Sequence, residues 1–448
     1  DPDQPDTSAG LAWSVILPPA GQLSAQSGTY PDAVITYDAV QVSAGTTDSF
    51  WYYVTNADGE VSNTAEVRIA VTAQPVTGQR LYFMAKDDQY RTHLWYYDGS
   101  SPIATVPGSA QALSADDLEW FQKGIPYQSE IHFIVADTSG ENNRSWSYNP
   151  SAGTFRYYPQ IEGVGDLVEA GSLLYASGYA AGTNTYSLWE LGSGGWTRIS
   201  STTGVISTGG NLAVLGNRIY FAGAAGAVNL QLFSWGAGGL VQETSTADSL
   251  WPWNLTVCNG RLYFNGSVGT AAPIQYLWAL DGVSPAATVT GSVTNPQNMI
   301  CFDNALYFTA MGPPSATMPV QLWSMDGSDV LTRWTSNATY DFMGLYTLTF
   351  PAIAGSTLYM RGTDDTPTNW LWAIDGTSPI STVPGSAGLY PSYTGAFGDR
   401  IFFASSYVNP PPYIDQLGSY DPGTGQISAL SNAPSPGFYA RCFVVYPP

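Results

Sequence analysis

Four kinds of residue in this 448-residue chain could do chemistry. Asp1, Asp3 and Asp6, with Asn56 and Asp58, form two oxygen-rich turns of the sort that hard cations such as calcium select. The same residue types are also those that turn propensity alone would place there. Trp120, Trp196, Trp251, Trp253, Trp334 and Trp370 fall off the chain's dominant pattern, at strand ends or loops, which makes them candidate ligand-binding contact patches. His93 and His132 are the only histidines. Neither has a sequence neighbour that suggests a nucleophile–base pair, so no catalytic residue is assigned. Asp87-Asp88 and Asp364-Asp365 read as solvated loop charge. Cys258 and Cys301 occupy nearly equivalent places in neighbouring repeats, where a bridge and two buried thiols are both open, and Cys442 stays unpaired in either case.

Composition limits what such residues can serve. The chain carries 35 acidic against 14 basic residues, a net charge of −21. Its only lysines are Lys86 and Lys123, so no basic footprint exists for phosphate backbones and nucleic-acid partners are excluded. Charged residues make up 11% and aromatics 14%, which argues against long surface helices. No apolar run approaches the roughly 18 residues of a membrane span, and the first residues do not form a basic-then-apolar leader. The chain therefore reads as a mature, soluble, exported protein.

The elements that must position these residues come from a repeat. An aliphatic–aromatic–aromatic triplet, a variable polar stretch and Leu-Trp-x-x-Asp-Gly recur after residue 80. Full copies are Leu81-Tyr82-Phe83 with Leu94-Trp95 and Asp98-Gly99, Leu262-Tyr263-Phe264 with Leu277-Trp278 and Asp281-Gly282, and Leu306-Tyr307-Phe308 with Leu322-Trp323 and Asp326-Gly327. Leu358-Tyr359-Met360 with Leu371-Trp372 and Asp375-Gly376 is a fourth. Degenerate copies bring the number to eight, at a period of about 46 residues, the size of a four-stranded propeller blade. The triplets alternate as strands do, and Asp-Gly supplies a tight turn. A short run ahead of each later triplet, such as Asn254-Leu255-Thr256-Val257, reads as the innermost strand. The first triplet lacks one, and Cys442-Phe443-Val444-Val445 at the chain end can replace it. The expected fold is all-β: an eight-bladed β-propeller over 78–448, closed by the C-terminal strand.

Residues 1–77 lack the repeat. Their alternating runs, including Leu11 to Val15 and Phe50 to Val54, predict a small β-sandwich. With nine acidic residues against one basic, this segment is the expected seat of any calcium site.

Two resemblances follow from these motifs. The Leu-Trp-x-x-Asp-Gly elements resemble bacterial surface proteins built from Glu-Leu-Trp-x-x-Asp-Gly-Thr repeats, although His93, Tyr276, Gln321 and Trp370 stand where that pattern has Glu. Asp1-Pro2-Asp3, Gly45 with Asp48-Ser49-Phe50, Asn56-Ala57-Asp58-Gly59 and Ser62-Asn63-Thr64-Ala65 resemble the cadherin-like, immunoglobulin-like domains of bacterial adhesins. Those domains have a strand ahead of the Asp-Pro-Asp element that is missing here. Either it lies upstream of this sequence or a neighbouring subunit donates it.

The resemblances imply an extracellular, cell-surface setting. The expected function is a non-catalytic structural or adhesive protein, a subunit of a filament, sheath or layer that associates with itself or with other surface proteins. A carbohydrate-binding lectin using loop aromatics on glycans is the alternative, and a polysaccharide lyase or hydrolase is the second. The poverty of His and Lys disfavours an enzyme.

Overall fold

The computed structural model describes residues 78–446 apart from 88–90, 101, 114–120, 137–142, 207–210, 225–229, 246–248, 269–273, 283, 290–292, 313–318, 337–341, 343–350, 365, 367, 377–378, 408–413 and 431–439. Ahead of these it describes 12–17, 22–23, 27–29, 37–38, 46–56, 61–62 and 64–71. The chain divides into two compact units, Asp1–Gln74 with Ala354–Ser356, and the remainder. Within the first, Ser27–Thr29, Ala12–Leu17, Thr46–Thr55 and Ala65–Val71 form an antiparallel sheet in that order, and Gln22–Leu23 pairs with Tyr37–Asp38.

The second unit is a β-propeller, and its described strands fall into eight successive four-stranded antiparallel meanders. The first joins Arg441–Tyr446 from the chain end to Arg80–Lys86, Thr92–Tyr97 and Ala104–Thr105. The C-terminal strand therefore does close the ring, pairing Val444 with Tyr82 and Val445 with Leu81. The second and third meanders share one long strand, Thr154–Ala170. Its first half pairs with Asn143–Asn149 and its second with Leu173–Ala180. The register shifts between them at Gly163, whose φ of 56° and close approach to the Tyr179 ring make a side chain there strained.

The fifth meander runs Trp253–Cys258, Arg261–Val268, Ile274–Leu280 and Ala287–Thr288, and the sixth begins at Thr294–Phe302. The seventh contains Thr357–Thr363 and Asn369–Ile374; the eighth starts with Pro391–Phe397. Among the described residues helix is limited to short turns such as Ser109–Ala112, as the low charge count predicts.

The triplets are the core. Tyr82, Phe83, Tyr263, Phe264, Tyr307 and Phe308 are fully buried, each side chain contributing about 2–3 kcal/mol by the area it removes from water. Alternation sends Tyr and Phe to opposite faces of their sheet, so each meander packs on both neighbours. Leu81 and Phe83 meet Phe397, Phe402 and Leu417, joining the first meander to the eighth. Tyr82 joins Ile131 and Phe133 on the other side.

The blade tryptophans are structural. The indole N–H groups of Trp95, Trp189, Trp278 and Trp323 donate to the carbonyls of Ala85, Gly178, Gly266 and Ala310 on the neighbouring strand, at 3.0–3.3 Å. A disulfide joins Cys258 to Cys301 across the first strands of the fifth and sixth meanders, with 5.2 Å between Cα atoms.

Candidate binding face at the start of the first strands

One register position in the first strands is polar. Counting two residues back from the partner of each triplet's central residue gives Lys123, Asp166, Asn211, Asn254, Asn298 and Tyr393, in the second to sixth and the eighth meanders. The charged pair among them is structural: Lys123 Nζ lies 2.9 Å from Asp166 Oδ1, while Asp166 Oδ2 accepts the Leu212 backbone N–H at 2.8 Å. That buried carboxylate ties three consecutive meanders together. In sequence Asn254 reads only as the first residue of an innermost strand; the equal offset of these residues from the triplets was the available signal.

The same edge carries a repeated backbone device. Trp251 (φ 49°) and Asn254 (φ 52°), Asn295 (52°) and Asn298 (52°), and Tyr390 (47°) and Tyr393 (48°) are three pairs of left-handed residues, each pair three apart. Each encloses a buried proline, Pro252, Pro296 or Pro391. Left-handed backbone is cheap for Asn and costs bulky side chains about 1–2 kcal/mol. In the fifth meander the result is display. Trp251 is 46% exposed and Trp253 43%, while Leu250 between the strands is fully buried and anchors them through its N–H to the Leu230 carbonyl at 2.8 Å. Ile274, 39% exposed, starts a strand at this same end of the sheet.

The other aromatic candidates divide. Trp196 is corrected: it is 4% exposed, because the outer strand turns its indole onto the preceding meander, where the N–H donates to Ser145 Oγ at 3.0 Å. Trp334 is half-buried, stacked on Tyr307 and bonded to Ser324 Oγ at 2.8 Å. Trp370 is half-buried with its indole N–H enclosed. Trp120 lies outside the described residues, as do Asp1, Asp3, Asp6 and Asp58 of the proposed calcium turns. Asn56 follows a strand and is half-buried. Among the described residues no group of three or more His, Cys, Asp or Glu side chains is placed to hold a metal.

The histidines hold a correction too. His93 does have a Ser and an acid: its Nδ1 is 3.2 Å from Ser109 Oγ and its Nε2 2.9 Å from Asp87 Oδ2. The Ser–His–Asp order invites a nucleophile reading. Ser109 is fully buried, however, so no substrate reaches it. The same slots in the fourth and sixth meanders hold Thr244 with Gln231 and Thr335 with Gln321, hydroxyl to amide oxygen at 2.9 and 2.8 Å. The chain is a strut of the repeat, with imidazole in place of amide. Its signal was the copied run Val106-Pro107-Gly108-Ser109-Ala110 and Val383-Pro384-Gly385-Ser386-Ala387, in which Ser386 Oγ accepts the Leu371 N–H at 3.0 Å.

His132 fills a tyrosine slot of the core at 2% exposure, between Tyr127 and Tyr158. Burial pushes its imidazole down to about 4, so it is neutral at physiological pH. The tyrosines in the equivalent places are pushed the other way by the same burial, Tyr175 and Tyr359 to about 12.

No protein-family model matches the chain, and no curated protein matches it. Similar solved structures include the β-propeller domain of the trilobed protease from Pyrococcus furiosus, at 10% identity and a TM-score of 0.40, covering 77% of this chain and 94% of that one. TolB from Acinetobacter baumannii is similar at 9% identity and 0.36, over 82% of this chain and 80% of that one. A puromycin-hydrolyzing peptidase of Mycobacterium tuberculosis is similar at 11% and 0.47, over 73% of this chain and 56% of that one. They correct the expectation of a non-catalytic adhesive or filament-forming surface protein, with its lectin and polysaccharide-lyase alternatives: the three structures named here are a protease's propeller domain, TolB and a peptidase. Among the described residues no helix is long and apolar enough to cross a membrane.

Proposed function

We propose that the chain is a polypeptide-recognition propeller, its meanders the blades of one eight-bladed ring, that binds an extended cationic segment at the start of its first strands. The observation that carries this reading is the pair of exposed indoles, Trp251 and Trp253, set on either side of a buried proline and held by a left-handed backbone that Asn would adopt more cheaply. Exposed indole faces attract guanidinium and ammonium groups. A net charge of −21 draws cations toward the same surface and repels polyanions. Recognition is favoured over chemistry because His132 is buried and neutral and the Ser109–His93–Asp87 chain is sealed. The Cys258–Cys301 disulfide supports an oxidising compartment outside the cytoplasm.

The test is indole fluorescence during titration with an arginine-rich decapeptide and with its glutamate counterpart. Saturable quenching by the first alone, weakened by salt and reduced at least tenfold in W251A/W253A, is the expected result. Equal responses to both peptides, or an unaffected double variant, overturn the reading.

A further inference from the structure

Arg361 is a half-buried guanidinium. It lies in the Thr357–Thr363 strand, partly buried, its Nε–H donating to Asn369 Oδ1 at 2.6 Å and its plane 5.8 Å from the Tyr390 ring centroid. Arg91, Arg218, Arg261 and Arg400 each sit on a carboxylate. Arg80 and Arg156 lie over tyrosine rings as Arg361 does, but both are exposed to water. Among the described residues no carboxylate reaches Arg361, in a chain with 35 acidic side chains. A charge withdrawn from water without a counter-ion is costly, and that cost is recovered when one arrives.

We propose that Arg361 is a carboxylate-binding subsite, in which the two Nη groups take both oxygens of a ligand carboxylate while Asn369 and the Tyr390 ring hold the guanidinium plane. With Nε spent on Asn369, the four remaining N–H groups form the end-on fork that matches a carboxylate. Burial pulls the Arg361 guanidinium below its usual range, with only Tyr390 opposing, as expected of a cation awaiting its partner. Tyr390 is repeat-equivalent to Trp251, which puts the subsite at the indole end of the propeller. The net charge of −21 disfavours polyanions, so the ligand class is a single carboxylate on a neutral or cationic molecule, such as a peptide C-terminus or one acidic side chain.

The experiment follows the guanidinium resonances of arginine-labelled full-length chain by NMR. Titrants are N-acetylglycine, which carries a terminal carboxylate, the α-amide of N-acetylaspartate, whose side-chain acid is free, and N-acetylglycinamide. Saturable shifts of the Arg361 signals with one or both acids and none with the amide are expected, the stronger acid identifying the source. R361K, which keeps the charge and loses the fork, should weaken binding at least tenfold, and R361Q should abolish it. W251A/W253A should leave these shifts unchanged, so failure of the indole reading and failure of this one are separable. No saturable shift with either acid, equal shifts with the amide, or retained binding in R361K overturns the subsite.

Discussion

The fifth and eighth meanders begin with the same backbone and put it to different uses. In the fifth, left-handed Trp251 and the residue beyond Pro252 project two indoles into solvent; in the eighth, left-handed Tyr390 lays its ring beside a half-buried guanidinium. The sixth meander builds the turn from Asn295 and Asn298, the residue type that adopts this conformation most easily. Backbone geometry alone therefore does not call for aromatic side chains. The rings are retained against a conformational cost, which points to what they touch.

The fifth mouth has an anchor that the eighth lacks. Cys258 lies four residues beyond Asn254 and is bridged to Cys301 across a separation of 43 residues. Opening a loop of that size costs about 4 kcal/mol in the chain-entropy account. C258S/C301S should lose about that much stability in urea unfolding. Before global unfolding it should also loosen the fifth mouth, seen as altered Trp251 and Trp253 fluorescence, while the resonances of Arg361, in the seventh meander beside Tyr390, hold. Equal disturbance of both would show that the mouths act as one unit.

A smaller effect separates the second meander from both. His132 stands where the fifth has Tyr263 and the eighth Phe402. Its folded value of about 4 lies below the 6.5 of an unfolded chain, burial being the main cause, with Arg156 adding to it and Glu130 opposing. As pH falls from 6.5 to 4 the unfolded state takes up the proton first, so stability drops, by a total of about 3 kcal/mol. Above 6.5 this contribution is fully present. H132F should flatten that limb of the stability–pH curve, and an unchanged limb would place the titration elsewhere.

Much of this architecture was legible because it is repeated. The triplets located the second strand of each meander, Leu-Trp-x-x-Asp-Gly the third, and the missing first strand of the opening meander pointed to Cys442–Val445. What was illegible depends on where neighbouring meanders meet. Trp196 looked like a loop aromatic, yet its hydrogen-bond partner Ser145 is 51 residues away, on a separate strand. His93 looked isolated because Asp87 and Ser109 reach it from opposite directions along the chain, 6 and 16 residues off. Arg361 carries no sequence signature at all: its distinction is partial burial with no carboxylate in reach among the described residues.

The finest test of the comparison exchanges the sixth meander's solution into the other two. W251N should raise stability by about 0.5–1 kcal/mol, since Asn relieves left-handed strain and the residue it replaces is 46% exposed, more than its counterpart in the eighth meander. Y390N relieves the same strain but removes a half-buried ring from beside Arg361, a contact of about 0.5–1 kcal/mol together with its buried apolar area. It should therefore come out destabilising by about 1 kcal/mol. Urea midpoints at unchanged slope would measure both. Opposite signs would establish that the fifth meander displays its ring and the eighth packs it. Two losses of similar size would mean that Trp251 is held by contacts of its own, and the case for a displayed binding aromatic would rest on Trp253 alone.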